Sequence, residues 1–377
     1  MADISGTWQE GYGRVVQRLE RQLDEGLDVG ASVSVVVDGE VVVDIWGGHA
    51  DEGRTRPWER DTIVNTWSLT KTMTALCALI LADRGELDLR SPVARYWPEF
   101  AAAGKGAVEV RHLLGHSAGL AGWTEPVGAE DLADWERMTR LLGAQEPWWE
   151  PGTQSGYHAL TQGYLVGEVV RRITGTTLGR FFAAEVAGPL GADYAIGLPA
   201  GDDARVASMI SPGRRRLSSS SAPLAARVLG NPRLEGTEPQ QVWWRRAEIP
   251  AANGQGNARS VARVQAVLAC GGEVDGVRLL SPRGCEVVFE EQADGTDLVL
   301  GPGFRLGMGY GLASDLIPIG PRACFWGGWG GSMVIVDLEA RVVVCYVMNK
   351  MAESLVGDTR GGAMALSALR AVGQRPG

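Results

Sequence analysis

The chain has 377 residues, long enough to bury a sizeable core without a disulfide or metal staple, and at roughly 150 residues per domain it forms one large domain or two. Hydrophobic residues make up 45% and charged residues 21%, and the formal net charge is −9; with no basic stripe, nucleic acid and anionic membrane surfaces are excluded as expected partners. No apolar run approaches the roughly 18 residues of a membrane span, and the start MADISGTWQEGYGR lacks a basic segment followed by an apolar one, so a cytoplasmic protein is expected.

In chain order, residues 8–26 carry apolar positions at helical spacing and predict an amphipathic helix. Ala31–Val37 and Glu40–Trp46 are β-rich and flank Asp38-Gly39, a dipeptide that supplies the positive φ of a type I′ hairpin turn. Residues 69–84 are mostly apolar with good helix formers and end at Gly85, and Leu87–Pro92 reads as loop. Further helices are expected at 108–115, 130–143, 160–174 and 178–186. The stretch 195–225, with Arg214–Arg216 and Ser218–Ser221, reads as loop. Residues 258–270 predict a helix, Cys324–Trp326, Met333–Asp337 and Val342–Met348 predict strands, the last two as a hairpin, and 358–372 predicts a closing helix. Gly301–Gly311 lacks the G-x-G-x-x-G spacing of a nucleotide-binding turn. This order predicts an antiparallel sheet made from both chain ends, covered by terminal helices, with a mainly helical segment inserted between them.

Five scattered cysteines (Cys77, Cys270, Cys285, Cys324 and Cys345) form no C-x-x-C pair, so reduced thiols are expected, with no metal and no cofactor. Lysine occurs only as Lys71, Lys105 and Lys350, whereas tryptophan occurs 13 times, with pairs at Trp148–Trp149 and Trp243–Trp244.

Two serines compete as a nucleophile. Gly115-His116-Ser117-Ala118-Gly119 matches G-x-S-x-G, whose elbow needs an acid and then a histidine later in the chain. The histidines are His49, His112, His116 and His158, and His158 lies too close to Ser117 to leave room for the intervening strands. Ser68-Leu69-Thr70-Lys71 is an S-x-x-K at the start of the apolar helix. Positions i and i+3 share a helix face, which points the Lys71 amine toward Ser68, and the helix start offers free N–H groups for a developing oxyanion. Serine is a poor nucleophile until a base takes its proton, and lysine serves only when neutral. Burial in the apolar stretch 72–82 supplies that shift. The competing reading is a capping serine with a lysine whose ammonium reaches solvent.

Ser68-Leu69-Thr70-Lys71, Tyr157-His158-Ala159 and Trp326-Gly327-Gly328 stand in the order of S-x-x-K, Y-x-N and K-T-G. Together with GYHALTQGYLVGEVV (156–170), GQGNARSVARV (254–264) and WGGWGGSMVIVD (326–337), they resemble the class C β-lactamase-like esterases, the family VIII carboxylesterases, and more distantly penicillin-binding proteins. The resemblance covers nearly the whole chain. It implies an α+β, serine β-lactamase-like fold, with residues 1–75 plus 250–377 as a discontinuous α/β sandwich domain, 76–249 as a mainly helical domain, and the active site at their interface. It implies Ser68 as the acylated nucleophile, Lys71 and Tyr157 as proton-transfer groups, and the backbone N–H groups of Ser68 and Trp329 as the oxyanion hole. Trp326, Gly327, Gly328 and His158 would contact substrate.

Two departures matter. Ala159 stands where β-lactamases carry asparagine, and Trp326 where they carry lysine, so an amide and a carboxylate-binding cation are missing. The expected function is hydrolysis of a small-molecule ester, short-chain or aryl, through an acyl-enzyme. The alternatives are a β-lactamase, a D-amino-acid peptidase or amide hydrolase on the same scaffold, or a binding protein that is acylated without turnover.

Overall fold

The structure, a computed structural model, describes residues 1–213 and 223–373. The arginine and serine runs Arg214–Arg216 and Ser218–Ser221 lie outside the described residues.

A nine-stranded antiparallel sheet dominates. Its order is Ile4–Trp8, Glu40–Gly48, Gly30–Val37, Val342–Met348, Met333–Asp337, Ala323–Gly327, Gly311–Leu312, Gly301–Leu306 and Ala293–Asp297. The two chain ends meet in its middle, where Gly30–Val37 pairs with Val342–Met348 in the register Val37↔Val342 to Ala31↔Met348. Side-chain alternation explains why Val342–Met348 is apolar throughout. Val342, Val344, Tyr346 and Met348 pack under the terminal helices Gly13–Asp24 and Thr359–Val372, whereas Val343, Cys345 and Val347 face the main core with the helix Ala258–Ala269. A sheet covered on both faces has no polar side to display. The Asp38-Gly39 hairpin forms as predicted, with φ of 52° and 84°.

The predicted N-terminal helix begins later, at Gly13, because Ile4–Trp8 forms an edge strand on Glu40–Gly48. That strand is largely exposed, so it carries no hydrophobic alternation to read. The predicted helix 130–143 is a 3₁₀ turn, Glu130–Ala133, followed by Trp135–Ala144, which starts where the Asp134 side chain accepts the Arg137 N–H. The predicted loop 195–225 closes with the start of a helix, Pro223–Gly230, and a second unpredicted helix spans Val242–Arg246.

The helix Thr70–Asp83 runs through the core, and every residue from Thr70 to Leu81 is buried. A helix apolar on all sides belongs inside a protein. Among the described residues, no helix is long and apolar enough to cross a membrane. A small sheet of Val64–Asn65, Gln255–Gly256 and Tyr194–Ala195 brings the segment before Ser68 alongside the segment 251–256.

Candidate active site

Ser68 lies in the 3₁₀ turn Trp67–Leu69 that leads into Thr70–Asp83. The residue before it, Trp67, has φ of 49°. A bulky side chain in that left-handed region stores about 1–3 kcal/mol and persists only where its surroundings fix it. Here the indole is wedged between Trp244, with ring centroids 5.4 Å apart, and Trp329, at 4.8 Å. Trp244 is itself tied by its Nε1–H to Asn65 Oδ1 at 2.9 Å. Trp244 thus braces the turn that carries Ser68.

Ser68 Oγ is 2.6 Å from Tyr157 Oη and 3.0 Å from Lys71 Nζ. Lys71 is 1% exposed, so its ammonium does not reach solvent. Its Nζ has two further partners, Ala159 O at 2.7 Å and Ala251 O at 2.9 Å. Burial holds the amine well below the ordinary lysine range, and among the described residues no carboxylate hydrogen-bonds to it. A neutral amine has two N–H donors and one lone pair. The two carbonyls only accept, so they take the two N–H groups. In that neutral form the lone pair would face Ser68 Oγ and accept the serine O–H, whereas the charged form donates to Ser68 Oγ.

Burial pushes the Tyr157 phenol above its ordinary range, against the pull of Ser68 and of the nearby Trp326 indole, so Tyr157 is a protonated donor at neutral pH. The Tyr157 N–H donates to Asp297 Oδ1 at 3.0 Å. Asp297 also accepts the Val299 and Leu300 N–H groups, each at 2.9 Å, and the Ser155 hydroxyl. A buried carboxylate on the strand edge therefore fixes the tyrosine's backbone. No sequence motif marks it, because its ligands are mostly main-chain.

The resemblance implies a substrate contact for His158, whereas the ring is fully buried and absent from the pocket wall. Its Nε2 accepts the Leu120 N–H at 3.1 Å, which makes Nδ1 the protonated nitrogen, bonded to Gly156 O at 2.6 Å. Burial pushes its pKa down to about 4, so the ring is neutral and serves to pin the chain on both sides of Tyr157. The neighbouring His116 accepts the His158 N–H and stacks on Trp326 at 5.6 Å.

The turn after strand Ala323–Gly327 carries Trp329. Its backbone N–H makes no hydrogen bond among the described residues, and the residue lines the same pocket as Ser68. Trp326, Gly327 and Gly328 do not line that pocket, contrary to expectation. Trp326 is 1% exposed and packs behind Tyr157, with ring centroids 5.9 Å apart. The two glycines permit close backbone approach: a Cβ at Gly327 would lie 2.2 Å from Gly357 N, and one at Gly328 2.4 Å from Thr66 O. The Trp326-Gly327-Gly328 triplet packs behind the wall, and the residue after it, Trp329, lines the cavity.

The pocket encloses about 940 Å³, part of it open to solvent. Its apolar wall includes Trp67, Leu160, Val228, Leu229, Leu234 and Trp329. Three of these come from the helix Pro223–Gly230 and the turn after it, which the sequence did not mark. At the rim Arg233 is paired to Glu235 at 3.1 Å. Ser117 is 3% exposed and lines a different, polar cavity with Ser155 and Gln292. Neither Ser117 nor His116 is joined to the other by a hydrogen bond among the described residues.

The beta-lactamase family model matches residues 16–368. The chain is 35% identical over 355 residues to the esterase/beta-lactamase LipL of Mycobacterium tuberculosis, an alignment covering 89% of this chain and 81% of that protein. A crystal structure of a family VIII carboxylesterase superposes with a TM-score of 0.92 at 42% identity, covering 98% of this chain and all of that one. A penicillin-binding protein homologue from Caulobacter crescentus does so with a TM-score of 0.93 at 36% identity and the same coverage. The expected fold, an antiparallel sheet flanked by helices in the β-lactamase manner, is the fold observed.

Proposed function

Because the chain belongs to the beta-lactamase family and is a serine ester hydrolase, we propose that it cleaves short-chain or aryl carboxylic esters through an acyl-enzyme on Ser68. The observation that carries this reading is the contact of Ser68 Oγ with both Lys71 Nζ and Tyr157 Oη in a desolvated site.

In the proposed cycle the Lys71 lone pair takes the Ser68 proton as Oγ attacks the ester carbonyl carbon. The negative oxygen of the tetrahedral intermediate is received by the Ser68 and Trp329 N–H groups. Tyr157 gives its proton to the departing alcohol or phenol oxygen and is reprotonated from the Lys71 ammonium. Water then attacks the acyl carbonyl, the same groups take its proton, and Ser68 regains its own as the acid leaves. Phenylalanine at 157 keeps the ring and removes the proton. Tyr157→Phe is therefore expected to lower kcat by about 10²–10⁴-fold with little change in stability, read by p-nitrophenyl butyrate kinetics beside a thermal melt.

The apolar wall supports an uncharged acyl group, and the rim cation Arg233 is already paired with Glu235. The test is hydrolysis of p-nitrophenyl acetate and butyrate with and without benzylpenicillin. Steady turnover unaffected by micromolar penicillin is the expected result. Strong inhibition at that concentration overturns the ester reading in favour of a carboxylate-reading peptidase. A single stoichiometric burst with a persistent adduct overturns it in favour of an acylated binding protein.

A further inference from the structure

We propose that Arg360 positions the Trp329 N–H by holding the Gly330 carbonyl, with Asp28 as the counter-charge that keeps the guanidinium in place. This rests on the assignment of Trp329 to the oxyanion hole. Arg360 lies at the start of the C-terminal helix Thr359–Val372 and is 8% exposed. Its Nη2 donates to Gly330 O at 2.5 Å. Nη1 donates to Asp28 Oδ1 at 2.7 Å, Lys350 O at 2.8 Å and Leu27 O at 2.9 Å, and Nε donates to Asp358 Oδ2 at 2.7 Å. One guanidinium thus gathers the segment before strand Gly30–Val37, the exit of strand Val342–Met348, the helix cap and the turn that carries Trp329.

The turn is fixed on both sides of Trp329. Gly328 O accepts the Gly331 and Gly357 N–H groups, each at 3.2 Å, and Gly330 O accepts the Ala352 N–H at 2.8 Å as well as Arg360. Arg360 is the charged member of that set. A Cβ at Gly331 would lie 2.5 Å from its Nη2, so the turn is shaped around the guanidinium. Gly330 and Gly331 take φ of 95° and 135°, a backbone conformation that glycine adopts without a Cβ clash. Asp28 is fully buried, and Tyr346 Oη donates to both its oxygens at 2.7 and 2.8 Å. Burial lifts the Asp28 carboxyl to about 6, which leaves it ionised opposite Arg360 at neutral pH. Arginine's planar fork bridges Gly330 O and Asp28 at once, and a lysine amine at the same position spans only one of them.

Arg360 touches neither the pocket nor Ser68, so its action is through the turn. The experiment compares wild type, Arg360→Met and Arg360→Lys for p-nitrophenyl butyrate kinetics and for inhibition by an aryl boronic acid, whose tetrahedral oxygen occupies the oxyanion position. Active sites are counted by phosphonate titration, with peptide mapping of the label. The expected result is a fall of about 10- to 100-fold in kcat per active site, KM nearly unchanged, and a boronate Ki raised in the same ratio. Arg360→Lys, which keeps the charge, carries the test should Arg360→Met fail to fold. Fewer active sites with unchanged kcat and Ki per site mean a purely structural role and overturn the proposal. Phosphonate on a residue other than Ser68 in wild type overturns the underlying site assignment, and the proposal falls with it.

Discussion

Replacing Ser68 by alanine is expected to lower ester turnover by roughly 10⁴-fold or more, the scale seen when a nucleophile is removed from a machinery that acts as a unit. Ser68→Ala removes the atom at which Lys71, Tyr157 and the pocket converge. The side chain is small and 8% exposed, so no large cavity is left and the melting temperature is expected to stay close to wild type. Ser117→Ala is the matched control. Ser117 carries the G-x-S-x-G signature but faces a separate polar cavity, so that variant is expected to keep most of its activity. The comparison is read by p-nitrophenyl butyrate hydrolysis. Loss confined to Ser117→Ala contradicts the site as drawn.

Lys71→Met is expected to lower acylation by about 10³-fold, in the range for removing a positioned base, while the fold survives. Methionine fills most of the volume but leaves the Ala159 and Ala251 carbonyls without their donor. The pH dependence has a definite sign. Burial lowers the Lys71 pKa in the folded protein, so the unfolded chain binds the proton more tightly. Between the depressed folded value and the ordinary lysine value, the stability of wild type relative to Lys71→Met therefore rises with pH, and it falls on acidification through that window. Activity follows the same direction, because only the neutral amine accepts the serine proton: kcat/KM of wild type is expected to fall along an acid limb. Denaturant melts of both proteins across pH, beside rate profiles, check the two trends. A wild-type advantage that grows as pH falls contradicts a neutral Lys71.

Much of the central architecture is legible in the sequence because burial on both sheet faces leaves unbroken valine-rich runs, and Asp38-Gly39 demands one kind of turn. Strands with a wet face or many glycines leave weaker marks, so Ile4–Trp8, Ala293–Asp297 and Gly301–Leu306 escape pattern reading. The S-x-x-K pair is legible because helix spacing alone brings Ser68 and Lys71 together. Tyr157 is identified by resemblance to a family motif, and its position depends on Asp297, 140 residues away, and on His158. Trp326, Gly327 and Gly328 stand outside the pocket wall, since a motif specifies residue types and does not specify which of them end up behind it. The pocket's own lining, Val228, Leu229 and Leu234, follows from tertiary packing of a segment with no chemical signature.

The central claim is an acyl-enzyme on Ser68 formed with Lys71 as base. The most direct measurement is rapid-quench mass spectrometry with peptide mapping during p-nitrophenyl butyrate turnover, run on wild type and Lys71→Met. A butyryl group on the Ser68 peptide of wild type, formed and lost at rates consistent with turnover and formed far more slowly in Lys71→Met, is the predicted result. Butyryl on the Ser117 peptide, or acylation of Ser68 at an equal rate in both proteins, contradicts it.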